Sequence, residues 1–262
     1  MRHGLLVGNV GSHADPRAFA RLAQEAEAAG WEAVLVWDHL GWVWDGPAGD
    51  PWIMLAAAAS VTERILLGTG VTPVPRRRLQ VLAHQVATLD ALAPGRVIFG
   101  AGVGGNEREF VSFGESFEGP RRGAMLDEGL DVLRRLWLGE QLDHRGQHYV
   151  VEGVRLAPAP GRVPIWIGGN GRAALRRAAR FDCWFADTAF GDKLSVSPEE
   201  FAAKIASLEH PVDVCAHGPT DPADRELRAA YGEAGATWWL EDLDDRHGPI
   251  ERSLGRVAAG PG

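Results

Sequence analysis

Asp38 and His39 stand side by side just past a short apolar run at 33–37. A histidine at a strand end can donate or accept a proton near neutral pH. An ordinary loop histidine bonded to a backbone carbonyl gives the same pattern. Three glycine-rich turns follow later apolar runs. The first, Gly68-Thr69-Gly70-Val71-Thr72-Pro73, offers hydroxyls at Thr69 and Thr72 and dihedral freedom at its glycines. The second contains Gly100, Gly102, Gly104, Gly105, Asn106 and Glu107. It lacks the final glycine spacing, the immediate helix and the acidic partner of a dinucleotide fingerprint. We read it as a flexible backbone shelf beside a flat ligand. The third, Gly168-Gly169-Asn170-Gly171-Arg172, opens a helix. Free N–H groups and the helix dipole there suit a phosphate, with Arg172 adding charge; a plain strand-to-helix turn is the alternative. Glu107 and Glu109 read as solvated carboxylates rather than a catalytic dyad. There is no G-x-S-x-G elbow, no P-loop and no close Cys/His spacing, so no metal is expected.

These residues need elements to hold them. The stretch 64–109 predicts strand, helix, strand: runs at 65–68 and 97–100, each entering a glycine turn, flank an amphipathic helix at Leu79–Leu92. Such a unit makes a parallel pair with a right-handed crossover, and ligands sit at the loops after its strands. The same alternation extends along the chain. Strands are expected at 5–8, 33–37, 65–68, 97–100, 164–167, 184–186, 212–216 and 237–240. Helices are expected from Pro16 to Gly30 and at 53–60, 79–92, 121–138, 173–181, 198–208, 221–234 and 249–257. Asp15-Pro16, Asp50-Pro51 and Ser197-Pro198 supply N-cap and first-turn signals. Residues 141–151 alternate around Arg145-Gly146 and read as a hairpin before strand five. Eight strand–helix units predict a TIM (β/α)8 barrel with that hairpin inserted, in one domain over 1–262; an open doubly wound sheet is the competitor.

Composition narrows the classes. Net charge is -8, with 27 Lys+Arg against 35 Asp+Glu, which argues against a nucleic-acid surface. The basic clusters 76–78 and 172–180 are short and read as a solvated helix face or small-anion site. No apolar run reaches membrane length and no long apolar leader opens the chain, so a cytoplasmic protein with no membrane partner is expected. Cys183 and Cys215 are read as buried free thiols. Most of the ten tryptophans, Trp37, Trp42, Trp44, Trp166, Trp184, Trp238 and Trp239 among them, are assigned to core and rim packing, with some lining an apolar pocket. The chain has two lysines, Lys193 and Lys204, both outside expected strands, which counts against a Schiff-base lyase.

Four segments agree in order and spacing with a known family: WDHL after strand two, GTGVTPVPRRR after strand three, TLDALAPGRVIFGAGVGGNEREFVSFGE through strand four and PIWIGGNGRAALRRAARF through strand five. Together they resemble the bacterial luciferase-like monooxygenases, which are flavin- and deazaflavin-dependent oxidoreductases. The resemblance implies a barrel that binds reduced FMN, with the deazaflavin coenzyme F-420 as alternative, its ring at the C-terminal mouth of the strands. It implies a non-prolyl cis peptide at Gly70-Val71 backing the ring, Asp38 and His39 beside it, and Gly102, Gly104, Asn106 and Glu109 along its edge. It places the cofactor phosphate at Gly168, Gly169, Asn170, Gly171 and Arg172. On this reading Asp38 and His39 are the catalytic pair, and Thr69, Gly70 and Val71 contact the cofactor. The expected partners are a small organic substrate and a flavin reductase supplying reduced cofactor; a homodimer is an assembly open to it. A flavin-binding barrel without turnover, for storage or sensing, is the competing function, because the loops after strands six to eight are lean.

Overall fold

The computed structural model describes residues 1–43, 45–190, 193–219 and 225–261, without the side chain of Trp42. Trp44 and the expected helix start at Asp221 lie outside the described residues. Eight parallel strands follow one another around a closed sheet: β1 (Arg2–Val7), β2 (Ala33–Val36), β3 (Leu66–Thr69), β4 (Val97–Gly102), β5 (Ile165–Gly168), β6 (Cys183–Phe185), β7 (Asp213–Gly218) and β8 (Trp238–Leu243). Closure comes from two pairings. Leu67 and Gly68 of β3 lie beside Val97 and Ile98 of β4, and Leu6 and Val7 of β1 lie beside Asp242 and Leu243 of β8.

Each strand leads to a helix on the outside: α1 (Pro16–Ala28), α2 (Pro51–Ala59), α3 (Leu79–Leu92), α4 (Gly119–Trp137), α5 (Arg172–Ala178), α6 (Pro198–Ile205), α7 (Arg225–Glu233) and α8 (Ile250–Ala258). The caps are those the sequence signals. Asp15 accepts from the Arg17 N–H, Asp50 accepts from Trp52 and Ile53, and Ser197 closes a capping box with Glu200. This is the expected barrel, and the open-sheet alternative falls. The hairpin before β5 is present as Leu142–Arg145 paired with Val150–Val154, a little longer than expected. Two small features were not expected: a helical turn at Arg108–Val111 and an antiparallel pair of Ala189–Phe190 with Lys193–Leu194.

Alternation along the strands separates two cores. Leu6, Ala33, Leu35, Ile98, Trp166, Cys183, Phe185, Cys215, Trp238 and Leu240 fill the barrel interior. Leu5, Val7, Val34, Val36, Leu67 and Phe99 face the helices in a larger layer. Inside the barrel, Trp166 and Trp238 meet edge to face at 5.2 Å. Both cysteines are free and buried, and burial pushes their thiols well above the usual range. Trp184 and Trp239 belong to the outer layer, and Trp37 lies against the inner core.

The third strand is interrupted in a way that shapes the mouth. It leaves the ladder at Thr69, bulges at Gly70 and Val71, and rejoins β4 at Thr72 and Pro73, which pair with Ala101 and Gly102. The Gly70-Val71 peptide is cis, as the family resemblance implied. Among the described residues, no helix is long and apolar enough to cross a membrane.

Candidate active site

The bulge presents Val71 at the mouth, and the glycines around it exist to admit its isopropyl group. A Cβ on Gly102 would lie 2.7 Å from Val71 Cγ2, and one on Gly168 would lie 3.0 Å from the same atom. One on Gly100 would meet Val71 Cγ1 at 3.1 Å and the Thr69 carbonyl at 1.8 Å. The strand-four and strand-five glycines therefore flank Val71 directly. The result is a shallow apolar floor.

Thr69 and Thr72 do not offer hydroxyls to a ligand, contrary to expectation. Both are fully buried; Thr69 Oγ1 donates to the Gly100 carbonyl at 3.0 Å, and Thr72 Oγ1 donates to Thr69 Oγ1 at 3.1 Å. They lock the bulge instead.

The Asp38-His39 pair is divided by its partners. Asp38 is buried, and both of its carboxylate oxygens are taken: Arg76 Nη2 donates at 2.8 Å, Arg77 Nε at 3.1 Å, and Arg77 Nη2 makes a further short contact. Asp38 thus anchors two arginines rather than facing a ligand. Arg76 Nη1 also reaches Glu109 at 3.0 Å, so one guanidinium bridges two buried carboxylates. Burial lowers the Arg76 pKa while Asp38 and Glu109 resist it; a guanidinium stays charged regardless. This corrects the reading of 76–78 as a solvated or anion-binding cluster for Arg76 and Arg77; Arg78 is exposed.

Glu109 lies beneath His39. Its Oε1 accepts from His39 Nδ1 at 2.8 Å and from the Leu40 N–H at 2.9 Å. Burial opposes its charge, but His39, the Leu40 amide and Arg76 outweigh burial and hold the carboxyl below the usual range. Of the two acidic residues read as solvated, Glu107 is exposed and Glu109 is buried. The His39 backbone is held by Asn9, whose Nδ2 donates to the His39 carbonyl at 2.9 Å and whose Oδ1 accepts from the His39 N–H. The imidazole keeps 29% of its side-chain area exposed and meets Trp37 edge-on at 5.7 Å. With Nδ1 bound to Glu109, Nε2 is the nitrogen directed elsewhere.

The strand-four loop is braced by Arg122, whose guanidinium donates to the carbonyls of Val103, Gly104 and Phe117. Gly104 has φ +83°, and a side chain there would strike Phe110. Asn106 Oδ1 accepts from the Arg108 N–H, which starts the helical turn that carries Glu109 inward. The strand-five loop is clipped to the next one. Asn170 Nδ2 donates to the Asp187 carbonyl, and the Asp187 N–H donates to Asn170 Oδ1. The Gly169 N–H is used by the Phe185 carbonyl at 3.2 Å. Gly171 is the N-cap of α5, and a Cβ there would meet nothing. Arg172 is exposed beside it. The first amides of α5 have no intrahelical acceptors by geometry, which leaves an open, dipole-favoured place for an anion.

The structure also assembles a Ser–His–Asp arrangement that no motif announces. Ser253 Oγ and Asp245 Oδ1 lie 2.8 and 3.0 Å from His13 Nε2 and Nδ1. His13 and Ser253 are both buried, so the trio clasps the loops after β1 and β8 to α8 and gives no substrate access. Sequence reasoning missed Asn9, Arg76 and Arg77 as parts of the His39 site. The adjacent arginines in a 3-10 turn after the bulge were visible, but their carboxylate partners were not.

With this geometry in place, comparison with known proteins defines the class. Residues 2–251 match the model of the luciferase-like monooxygenase family, and the chain belongs to that family. It is 38% identical over 180 residues to an F420-dependent glucose-6-phosphate dehydrogenase of Nakamurella multipartita, covering 66% of this chain and 52% of that protein. It is 35% identical over 224 residues to the enzyme of the same name from Nocardia farcinica, covering 79% of this chain and 66% of that protein. The chain thus spans about half to two thirds of these relatives. Among solved structures, an F420-dependent secondary alcohol dehydrogenase in complex with an F420-acetone adduct superposes with TM-score 0.77 at 18% identity, covering 97% of this chain and 96% of that one. That likeness shows the shared barrel fold.

Proposed function

We propose that this protein is an oxidoreductase that binds a deazaflavin or flavin at the barrel mouth, with coenzyme F-420 placed ahead of FMN. One observation carries the reading: the bulge at Gly70 and Val71, ringed by glycines, bonds to the end of the strand that leads into the His39–Glu109 pair. A flat tricyclic ring fits that floor, because side chains are absent where its face and edge would lie. The Nakamurella and Nocardia relatives both carry F420 in their names, which supports the deazaflavin.

On this reading Val71 with Gly70 backs the ring, the loop from Gly102 through Gly104 to Asn106 flanks it, and Gly168 to Arg172 hold the phosphate at the start of α5. When bound, the cofactor supplies hydride transfer, or, as reduced FMN, reaction with oxygen. His39 exchanges a proton with the substrate through Nε2, while Glu109 orients the ring through Nδ1. Asp38 holds Arg76 in place, and Arg76 steadies Glu109; both are positioning residues. The substrate is a small organic molecule, and the FMN form would call on a flavin reductase as partner.

Fluorescence titration of the purified protein with F-420 and with FMN tests this. Saturable binding at micromolar or lower concentration is expected, tighter for F-420. Binding of neither would overturn the proposal.

A further inference from the structure

Across the mouth from the glycines, strands β6, β7 and β8 end in a second histidine–carboxylate group. The period of two carries the inward-facing set of β7 from Cys215 to His217 and that of β8 from Trp238 and Leu240 to Asp242. His217 Nδ1 lies 2.9 and 3.1 Å from the two oxygens of Asp242. The imidazole stacks on Phe185 with ring centroids 5.4 Å apart. Thr188 Oγ1 accepts from the His217 N–H at 2.7 Å and donates to its carbonyl, which fixes the strand beneath the ring. His217 and Asp242 are both more than nine-tenths buried, whereas the Asp187 side chain is 66% exposed on the rim. Nε2 pairs with Asp187 Oδ1 at 3.5 Å, a longer and looser contact than the one to Asp242.

Burial disfavours the imidazolium, but Asp242 and Asp187 overcome burial and push the His217 pKa up to about 10. A carboxylate faces each ring nitrogen, which favours a proton on both. One is committed to Asp242, and the other has a more distant acceptor. Nε2–H and the Asp187 carboxylate together offer one donor and one acceptor. A hydroxyl matches that pair, since it accepts from one and donates to the other. A phosphate or carboxylate would confront Asp187 and Asp242, and a carbonyl would leave Asp187 unmatched.

We propose that His217 Nε2–H and the Asp187 carboxylate form a hydroxyl-binding subsite on the substrate side of the mouth, so that the substrate is an alcohol or polyol whose charged groups, where present, lie elsewhere. This rests on the oxidoreductase reading for the purpose of that binding, not for the binding itself.

The test uses cofactor-free protein and long-range proton–nitrogen NMR of its imidazoles, with His217→Gln identifying the resonance. Glycerol and glucose are the hydroxyl probes, and inorganic phosphate is the anion probe. A saturable shift of His217 Nε2 with the polyols and none with phosphate is expected. Asp187→Ala should weaken the polyol about tenfold or more in that titration. No saturable polyol shift, or a phosphate shift at that resonance, overturns the subsite. Cofactor titration of the same proteins separates the two proposals: lost cofactor binding with an intact polyol shift sinks only the oxidoreductase reading, and the reverse sinks only the subsite.

Discussion

The mouth of this barrel holds two histidine–carboxylate pairs built from the same groups and set in opposite surroundings. The His39–Glu109 pair lies past the end of β2, which bonds to the glycine-ringed bulge of β3, and Glu109 divides its charge between the imidazole and Arg76. His217 and Asp242 lie across the barrel, with Asp187 facing the other ring nitrogen. The His39 ring is partly exposed, and the His217 ring is stacked and buried. The two carboxylates therefore differ in partners: Glu109 is shared between His39 and Arg76, and Asp242 bonds His217 through both oxygens. The same contrast runs through the two halves. One half is stripped of side chains so that backbone can meet a flat ligand. The other half is crowded with polar groups: Asp187, Asp242 and Asp244, the last held well below the usual carboxylate range, against burial, by Arg246 and His247.

The contrast can be broken most forcefully at Arg76. Arg76→Ala removes one partner from each of two buried carboxylates, leaving Asp38 to Arg77 and Glu109 to His39, and should destabilise the fold by about 3 kcal/mol in denaturant unfolding. Arg246→Ala, which removes one partner of a single carboxylate and leaves His247 to Asp244, should cost distinctly less. Equal losses would mean that the bridging of Asp38 and Glu109 is energetically irrelevant. Next in size is catalysis. His39→Ala should lower turnover about a hundredfold or more while leaving cofactor titration intact, whereas His217→Leu should raise KM more than it lowers kcat. If both variants lost kcat alone, the division into proton-exchanging and substrate-holding sides would fail.

A third difference is in pH dependence. Because the folded pKa of His217 is raised, its pair with Asp242 stabilises fully below the unfolded value near 6.5, and that contribution is lost as pH rises through about 10. Stability should therefore fall with pH from about 7 to 8.5, before the buried cysteines contribute. Asp242→Asn should flatten that decline. An unchanged slope, measured by urea midpoints, would remove His217 as its source. The smallest effect is expected at Arg172, exposed at the start of α5. Arg172→Ala should weaken FMN about fivefold and leave riboflavin unchanged, since only FMN carries the phosphate. Equal weakening of both would place the phosphate elsewhere.

Much of the fold was legible along the chain. Apolar runs marked β1 to β5, all but β2 running into glycine, and Asp-Pro and Ser-Pro pairs marked the starts of α1, α2 and α6, because caps and turns are local chemistry. The ends of β7 and β8 were set too early, at 216 and 240, where the observed strands run on to Gly218 and Leu243. His217, Glu241 and Asp242 do not read as strand residues. They are tolerated because Asp242 meets His217 inside and Glu241 meets Arg256 outside. The turn at Arg108–Val111 was hidden in a glycine-rich loop, and with it the burial of Glu109.

The sequence by itself determined the barrel, the glycine-rich loops and the residues equipped for chemistry. Periodicity, capping and turn preference act over a few residues and can be read there. Tertiary structure alone decided which charged groups meet. Asp38 finds Arg76, His39 finds Glu109 and His217 finds Asp242 across 38, 70 and 25 positions, once closure of the sheet brings their strands to one mouth. Whether a carboxylate orients a histidine, charges it or is itself neutralised depends on those distant partners and on burial, and neither is encoded locally.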